Sequence, residues 1–196
     1  FSCSLRGIGM ELSYGVNNLI NTPLWGLIQE KLKGDLEWEI AKIEGGKESS
    51  IRKSRIAWIN DLYLREQLFH SINLYNKQQW NYNVDGLDSI QYGIYPVGGK
   101  YDWHCDDETN DSIINDRKLT RKLSITIWLN DPDEYEGGEF DIEVLGPREK
   151  GKRYKTLKLS KGSIVIFKSD KWHRVRPVTS GVRKSLVTWF RGPPFR

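Results

Sequence analysis

Hydrophobic spacing changes character near Trp80. Before it, Leu64, Leu68, Phe69, Ile72 and Tyr75 recur at helical spacing and make one apolar stripe. Asp61 is an acceptable N-cap, so the spacing predicts a helix from Asp61 to about Asn76. His70 falls inside it and reads as a surface or boundary histidine. Leu24 to Leu32 predicts a shorter helix. Leu36–Ile43 (LEWEIAKI) and Ser54–Asn60 (SRIAWIN) read as strands around a polar loop at residues 44–50, EGGKESS.

From Trp80 onward the pattern breaks into short strands: Ser89–Tyr95, Tyr101–Asp106, Lys122–Leu129, Glu139–Leu145, Tyr154–Leu159, Ser163–Phe167, His173–Val178 and Lys184–Phe190. Turn signals separate them at Gly98-Gly99, Asp131-Pro132, Gly137-Gly138, Lys161-Gly162 and Ser180-Gly181. About eight evenly spaced strands after a helical region predict a mainly β fold with N-terminal helices, a double-sheet jelly roll. The long helix is expected to cover one sheet with its stripe. A length of 196 residues suits a single domain.

Composition narrows the partners. The 30 basic and 26 acidic residues leave a net charge of only +4, too mild to argue for nucleic acid. The 8 Trp and 9 Tyr can supply core and also pocket walls. Cys3 and Cys105 do not make a disulfide framework and favour a reducing compartment. No apolar run approaches bilayer length, so no transmembrane helix is expected. The start, FSCSLRGIGM, lacks the plan of a secretory signal. Met10 is the only methionine, and the residues before it are expected to be processed or vector-derived. The expected location is the cytoplasm.

The candidate chemistry lies in His104, Asp106, His173 and Arg183. A strand places residues i and i+2 on one face, so His104 and Asp106 are expected to project together. Cys105 between them reads as a small filler. His173 opens a later strand and is expected to approach from the opposite sheet. Two imidazoles and a carboxylate suit iron(II), and also manganese, cobalt or zinc. Arg183 shares one strand face with Ser185, Val187 and Trp189. An arginine facing the interior needs a partner, either a distant carboxylate or a bound anion.

The stretches IQYGIYPVGGKYDWHCD, RKLSITIWLNDPDEYEGGEFDI and SIVIFKSDKWHRVRPVTSGVRKSLVTWF resemble the iron(II)- and 2-oxoglutarate-dependent dioxygenases. Within them the resemblance is to the prolyl 4-hydroxylase branch, including the PKHD-type hydroxylases. It covers roughly residues 88–192, the expected catalytic core, with residues 1–87 as a support region. The resemblance implies a double-stranded β-helix with His104, Asp106 and His173 as iron ligands. It implies that Arg183 binds the far carboxylate of 2-oxoglutarate, where collagen-type enzymes usually carry lysine. Tyr95 matches a tyrosine that contacts the cosubstrate. Trp128 stands where relatives often have a tyrosine. Phe140 replaces a threonine seen in some relatives.

Tyr101, Arg121 and Trp189 match the peptide-binding side of prolyl hydroxylases. Strict alternation would turn Tyr101 away from His104, so its placement there needs a bulge or a position at the strand's entrance. Residues 44–53 and 107–120 look like lids. The resemblance implies hydroxylation of a peptide or protein side chain, prolyl 4-hydroxylation first. Iron(II), 2-oxoglutarate and O2 would serve it, with ascorbate as reductant and succinate and CO2 as co-products. Two other readings stay open: a nucleic-acid oxidative dealkylase of the same superfamily, and a non-catalytic metal-binding jelly roll. The dealkylases typically carry a second arginine six residues beyond the first. Trp189 occupies that position here, so a proline-containing peptide is the expected partner rather than nucleic acid.

Overall fold

The computed structural model describes residues 13–41, 50–107, 112–114, 117–145 and 150–194. In chain order the elements are β1 (Tyr14–Asn18), α1 (Pro23–Lys31), β2 (Trp38–Ile40), β3 (Arg52–Lys53), β4 (Arg55–Ile59) and α2 (Leu62–Gln79). Then follow β5 (Gly86–Leu87), β6 (Ile90–Tyr95), β7 (Lys100–His104), β8 (Ser112–Ile114), β9 (Arg117–Trp128), β10 (Tyr135–Gly137) and β11 (Phe140–Glu143). The last are β12 (Tyr154–Leu157), β13 (Ser163–Lys168), β14 (His173–Val175), β15 (Val178–Gly181) and β16 (Arg183–Gly192).

The fold is mainly β with two helices before the central strands. A nine-stranded sheet runs β1-β13-β9-β16-β6-β4-β2, with β5 added to β16 and β8 to β9. A five-stranded sheet runs β12-β11-β14-β7-β3, and β10 pairs with β15 as a ribbon. Each strand pair is antiparallel.

Alternation in the large sheet makes two cores. On one face Leu123, Ile125 and Ile127 of β9, Leu186 and Phe190 of β16, and Ile164 and Ile166 of β13 pack against the helices. Those helices contribute Leu24, Trp25 and Ile28 from α1 and Leu64, Leu68, Ile72 and Tyr75 from α2. Each such side chain stabilises the fold by about 1.5–3 kcal/mol when fully buried. On the other face Trp128, Val165 and Phe167 meet Phe140, Ile142, Leu157 and Val175 of the small sheet. The small sheet's outer face is tied together by buried Asp141. It accepts from Arg174 Nε at 2.7 Å, Arg176 Nε at 2.8 Å and Thr156 Oγ1 at 2.7 Å.

The helix starts follow their caps. Asp61 accepts from the Leu64 amide at 2.7 Å, and Thr22 accepts from the Trp25 amide at 3.3 Å with Pro23 next. The long helix runs to Gln79, three residues beyond its expected end at Asn76. His70 is exposed.

Several strands differ from expectation. The stretch LEWEIAKI pairs only over Trp38–Ile40, because β2 is an edge strand with a single neighbour. Ile40 is exposed there. Lys42 and Ile43 lie outside the described residues. The expected strand His173–Val178 stops at Val175. Pro177 has no amide to donate, and the chain resumes as β15 against β10. The expected long loop at 107–120 is partly a hairpin, since β8 pairs with the early part of β9. Residues 108–111 and 115–116 of that expected lid lie outside the described residues, as do residues 44–49 of the other. Within the second lid, Arg52 and Lys53 form β3 on β7. Among the described residues, no helix is long and apolar enough to cross a membrane.

Candidate metal centre and cosubstrate pocket

His104 ends β7 and His173 begins β14, and the two stand opposite each other in the pairing of these strands. Both histidines therefore belong to the small sheet, on adjacent strands. The expectation that His173 reaches in from the opposite sheet is corrected. In-register pairing brings the two imidazole centres to 4.1 Å without needing a second sheet. Asp106 lies past the end of β7, so strand alternation does not position it. Its amide donates to the Ser169 carbonyl at 2.9 Å, and its carboxylate accepts from Ser124 Oγ at 2.6 Å. Ser124 belongs to β9, so the large sheet holds the carboxylate that completes the set.

The ligand atoms of His104, Asp106 and His173 all lie within 4.8 Å of one another. His104 Nε2 is 3.8 Å from Asp106 Oδ1, and His173 Nε2 is 3.5 Å from Asp106 Oδ2. Each Nδ1 faces a backbone carbonyl, that of Asp102 at 2.7 Å and that of Lys171 at 2.9 Å. A carbonyl only accepts, so each Nδ1 carries the proton and each Nε2 turns a lone pair toward the other ligands. Burial, then the neighbouring His173, pushes the His104 pKa down to about 3, which keeps it neutral. Burial alone would raise Asp106. The two imidazoles and Ser124 outweigh it and hold the carboxylate below its usual range. A neutral His104 and an ionised Asp106 are in the protonation states that binding a divalent cation requires.

Arg183 is 1% exposed. It stands opposite Tyr95 in the β16–β6 pairing, and Ser185 stands opposite Trp128 in β16–β9. Its guanidinium carbon lies 5.3 Å from the Tyr95 ring centre and 5.5 Å from that of Trp128. Nη1 donates to Ser185 Oγ at 3.1 Å. Nε and Nη2 of Arg183, Nε1 of Trp128 and Oη of Tyr135 are all buried without a well-formed hydrogen bond. Burial pushes the Tyr135 hydroxyl pKa up, against the charge of Arg183 and the close approach of the Trp128 and Arg183 donors, so these groups crowd together without satisfying one another. Gly138 makes room for this nest. A Cβ there would stand 3.1 Å from Arg183 Cδ and 3.2 Å from Tyr135 Cε2, and its φ of +63° suits only glycine. Four orphaned polar atoms in one place are costly unless an acceptor-rich group completes them. A carboxylate fits that need, since two oxygens can take parallel N–H donors from a guanidinium.

A sequence profile of the 2OG-Fe(II) oxygenase superfamily matches residues 90–191, the span that holds all of these residues. The chain belongs to the 2OG-Fe(II) oxygenase superfamily. A PKHD-type hydroxylase of Teredinibacter turnerae is 31% identical over 167 residues, 80% of this chain and 68% of that protein. This places the chain in the PKHD-type branch. A second PKHD-type hydroxylase, from Stenotrophomonas maltophilia, is 35% identical over 50% of this chain and 41% of its own length. The chain thus spans about four-tenths of some curated relatives that it matches. Among solved structures, a Pseudomonas putida prolyl-4-hydroxylase superposes with a TM-score of 0.66 at 21% identity, covering 92% of this chain and 94% of that one. A Trichoplax adhaerens prolyl hydroxylase, solved with a hypoxia inducible factor peptide, gives 0.68 at 18% identity, covering 91% and 83%. These structures share the fold.

In this 2OG-Fe(II) oxygenase the triad, Arg183 and Ser185 line one cavity of about 210 Å³. Tyr95, Tyr101, Arg121, Phe140 and Trp189 line it too, while Trp128 packs behind. Tyr101 reaches the site because the β14–β7 pairing slips between His173 and Val175, where two steps on β14 match three on β7. Its ring stacks on His104, with centres 3.5 Å apart and planes at 13°. Arg121 lies over the Trp189 ring at 3.7 Å and donates to Asp88 Oδ2 at 3.2 Å. Phe140 packs edge-on against Trp128 and tilted against His173. Cys105 has its thiol 3.4 Å from the Asp170 carbonyl, outside the ligand set. Cys3 lies outside the described residues.

Sequence reasoning placed Ser185 on the Arg183 face but missed Ser124, Ser169 and Tyr135. Ser124 left a signal, because Ser124 and Thr126 are the polar residues that alternate through the apolar run LSITIWL. Tyr135 left none, since only the pairing of Tyr135 with Gly181 brings it beside Arg183.

Proposed function

We propose that this protein is an iron(II)- and 2-oxoglutarate-dependent dioxygenase that hydroxylates a peptide or protein side chain, with peptidyl proline as the first candidate. The observation that carries this reading is the cavity itself. A three-ligand cation site and Arg183, with buried donor atoms that lack a partner, open onto the same space. The two facing sheets are read as the double-stranded β-helix of the family, with residues 88–192 as the catalytic core of a single domain.

The residues divide the labour. His104, Asp106 and His173 would hold iron(II). Arg183 would take the far carboxylate of 2-oxoglutarate, with Trp128 and Tyr135 donating beside it and Tyr95 as wall. A rigid, permanently charged guanidinium fixes the cosubstrate's orientation before chemistry begins. Phe140, Phe167 and Val175 keep the surroundings of His173 dry. Tyr101, Arg121 and Trp189 form the wall that a substrate would meet. When bound, iron(II) and 2-oxoglutarate supply an oxidative decarboxylation in which O2 gives one oxygen to substrate and one to succinate, with release of CO2. Ascorbate is the proposed reductant that keeps the iron ferrous.

The test is incubation of proline-containing peptides with the protein, iron(II), 2-oxoglutarate and ascorbate, followed by mass spectrometry. A gain of one oxygen mapped to proline, matched by succinate, supports the reading. A gain mapped to another residue removes the proline assignment, and absence of 2-oxoglutarate binding by calorimetry removes the dioxygenase reading.

A further inference from the structure

The cavity wall carries a cation that the metal and cosubstrate would leave unanswered. Iron(II) and Arg183 together bring three positive charges, and Asp106 and the two carboxylates of 2-oxoglutarate bring three negative ones. Arg121 has its own carboxylate, since Asp88 accepts from it. Arg52 stands outside that balance. Arg52 meets no carboxylate among the described residues. Its Nε donates to Ser54 Oγ at 3.1 Å and its Nη2 to Gln91 Oε1 at 2.7 Å. Both acceptors are buried and neutral. They fix the guanidinium's direction without cancelling its charge.

The placement of Arg52 is specific. It pairs with Tyr101 across β3 and β7, and its guanidinium carbon lies 4.6 Å from the Tyr101 ring centre. Tyr101 stacks in turn on His104. Arg52, Tyr101 and His104 therefore form one column that ends on a metal ligand. Beside it, Lys53 stands opposite Lys100 on the same strand pair, a like-charge juxtaposition that disfavours the fold by itself. The Nη1 group and one Nη2 hydrogen of Arg52 remain, a pair that can meet a carboxylate in two parallel bonds.

We propose that the site selects a peptide with an acidic side chain next to the residue to be hydroxylated, and that Arg52 is the group that binds that carboxylate. This rests on the peptide hydroxylase reading above. Arg52 acts on substrate choice and takes no part in the oxidation.

The test uses three matched proline-containing peptides with Asp, Asn or Lys beside the proline, labelled with a fluorophore. Their affinities are read by anisotropy on protein loaded with zinc(II) and 2-oxoglutarate, and succinate formation is followed separately with iron(II). The Asp peptide is expected to bind about tenfold tighter than the Asn peptide, the scale of one charge-assisted contact. Salt should shrink that ratio. Arg52→Gln should bring the ratio to about one, Arg52→Lys should keep part of it, and Arg52→Glu should turn the preference toward the Lys peptide. Thermal midpoints of the variants check that each is folded. Equal binding of the Asp and Asn peptides by the unmutated protein overturns the proposal, as does a ratio that Arg52→Gln and Arg52→Glu leave intact. In either case turnover of all three peptides keeps the peptide hydroxylase reading. Binding of none of them, or of a single-stranded oligonucleotide in their place, overturns both.

Discussion

The two faces of the large sheet come from alternate residues of the same strands and differ in kind. On the helix side, β9 and β16 present Leu123, Ile125, Ile127, Leu186 and Phe190, and the one polar residue among them, Thr188, donates its hydroxyl to the Asp88 carbonyl. On the cavity side the intervening positions are Ser124, Thr126, Arg183, Ser185 and Trp189. Several of their polar atoms are buried and unpartnered. One face is complete by itself and stabilises the fold. The other is left incomplete, and its incompleteness is the binding energy available to a ligand. A residue's effect on stability and its effect on function should therefore separate by face.

The sharpest break in that comparison is Asp106→Ala. It removes the one ligand held by both the turn after β7 and the large sheet, and it is expected to abolish metal-dependent turnover while the circular dichroism spectrum persists. Retained manganese affinity in this variant, measured by calorimetry, would contradict the triad. On the helix face, Ile125→Ala is expected to cost about 2–5 kcal/mol of stability in urea unfolding. The folded fraction should keep its 2-oxoglutarate affinity.

Arg183→Met should do the reverse. It replaces a buried guanidinium, which donates to Ser185 Oγ and lies beside Tyr135 but meets no carboxylate among the described residues, by an apolar chain of similar length, so stability should hold or rise. Affinity for 2-oxoglutarate should fall by about 1.5–3 kcal/mol for each lost charge-assisted contact. Unchanged affinity would remove the anion-nest assignment. A marked fall in stability would mean that Arg183 belongs to the packed core.

The smallest effect is the change in stability between pH 7 and pH 5. The folded, metal-free protein holds His104 at about 3 against an ordinary 6.5. The unfolded chain therefore binds this proton first as pH falls. Stability is full above about 6.5 and declines from there toward 3, by up to about 1.4 kcal/mol per pH unit. The depressed Asp106 adds a further loss once acidification passes its ordinary 3.8 and continues toward its folded value. Urea midpoints at pH 7 and pH 5, taken in a chelator, check the sign. A higher midpoint at pH 5 would contradict a neutral buried imidazole.

Much of this was legible in residues alone. Alternation and helical spacing are local, so the stripe of α2, the core strands from β6 to β16 and the shared face of Arg183, Ser185, Val187 and Trp189 follow from order along the chain. The ligand set was legible because metal chemistry restricts which residue types serve. Partners distant in sequence were not legible. Register alone places His173 opposite His104 on the same sheet, and a slip in that register turns Tyr101 toward the site. The pairing of β10 with β15 brings Tyr135 beside Arg183, and Ser124 reaches Asp106 only once the two sheets face each other. Local sequence determined which residues could ligate, anchor or pack. The tertiary structure decided which polar groups meet a partner and which stay unanswered, because hydrogen bonds and charges are satisfied across space rather than along the chain.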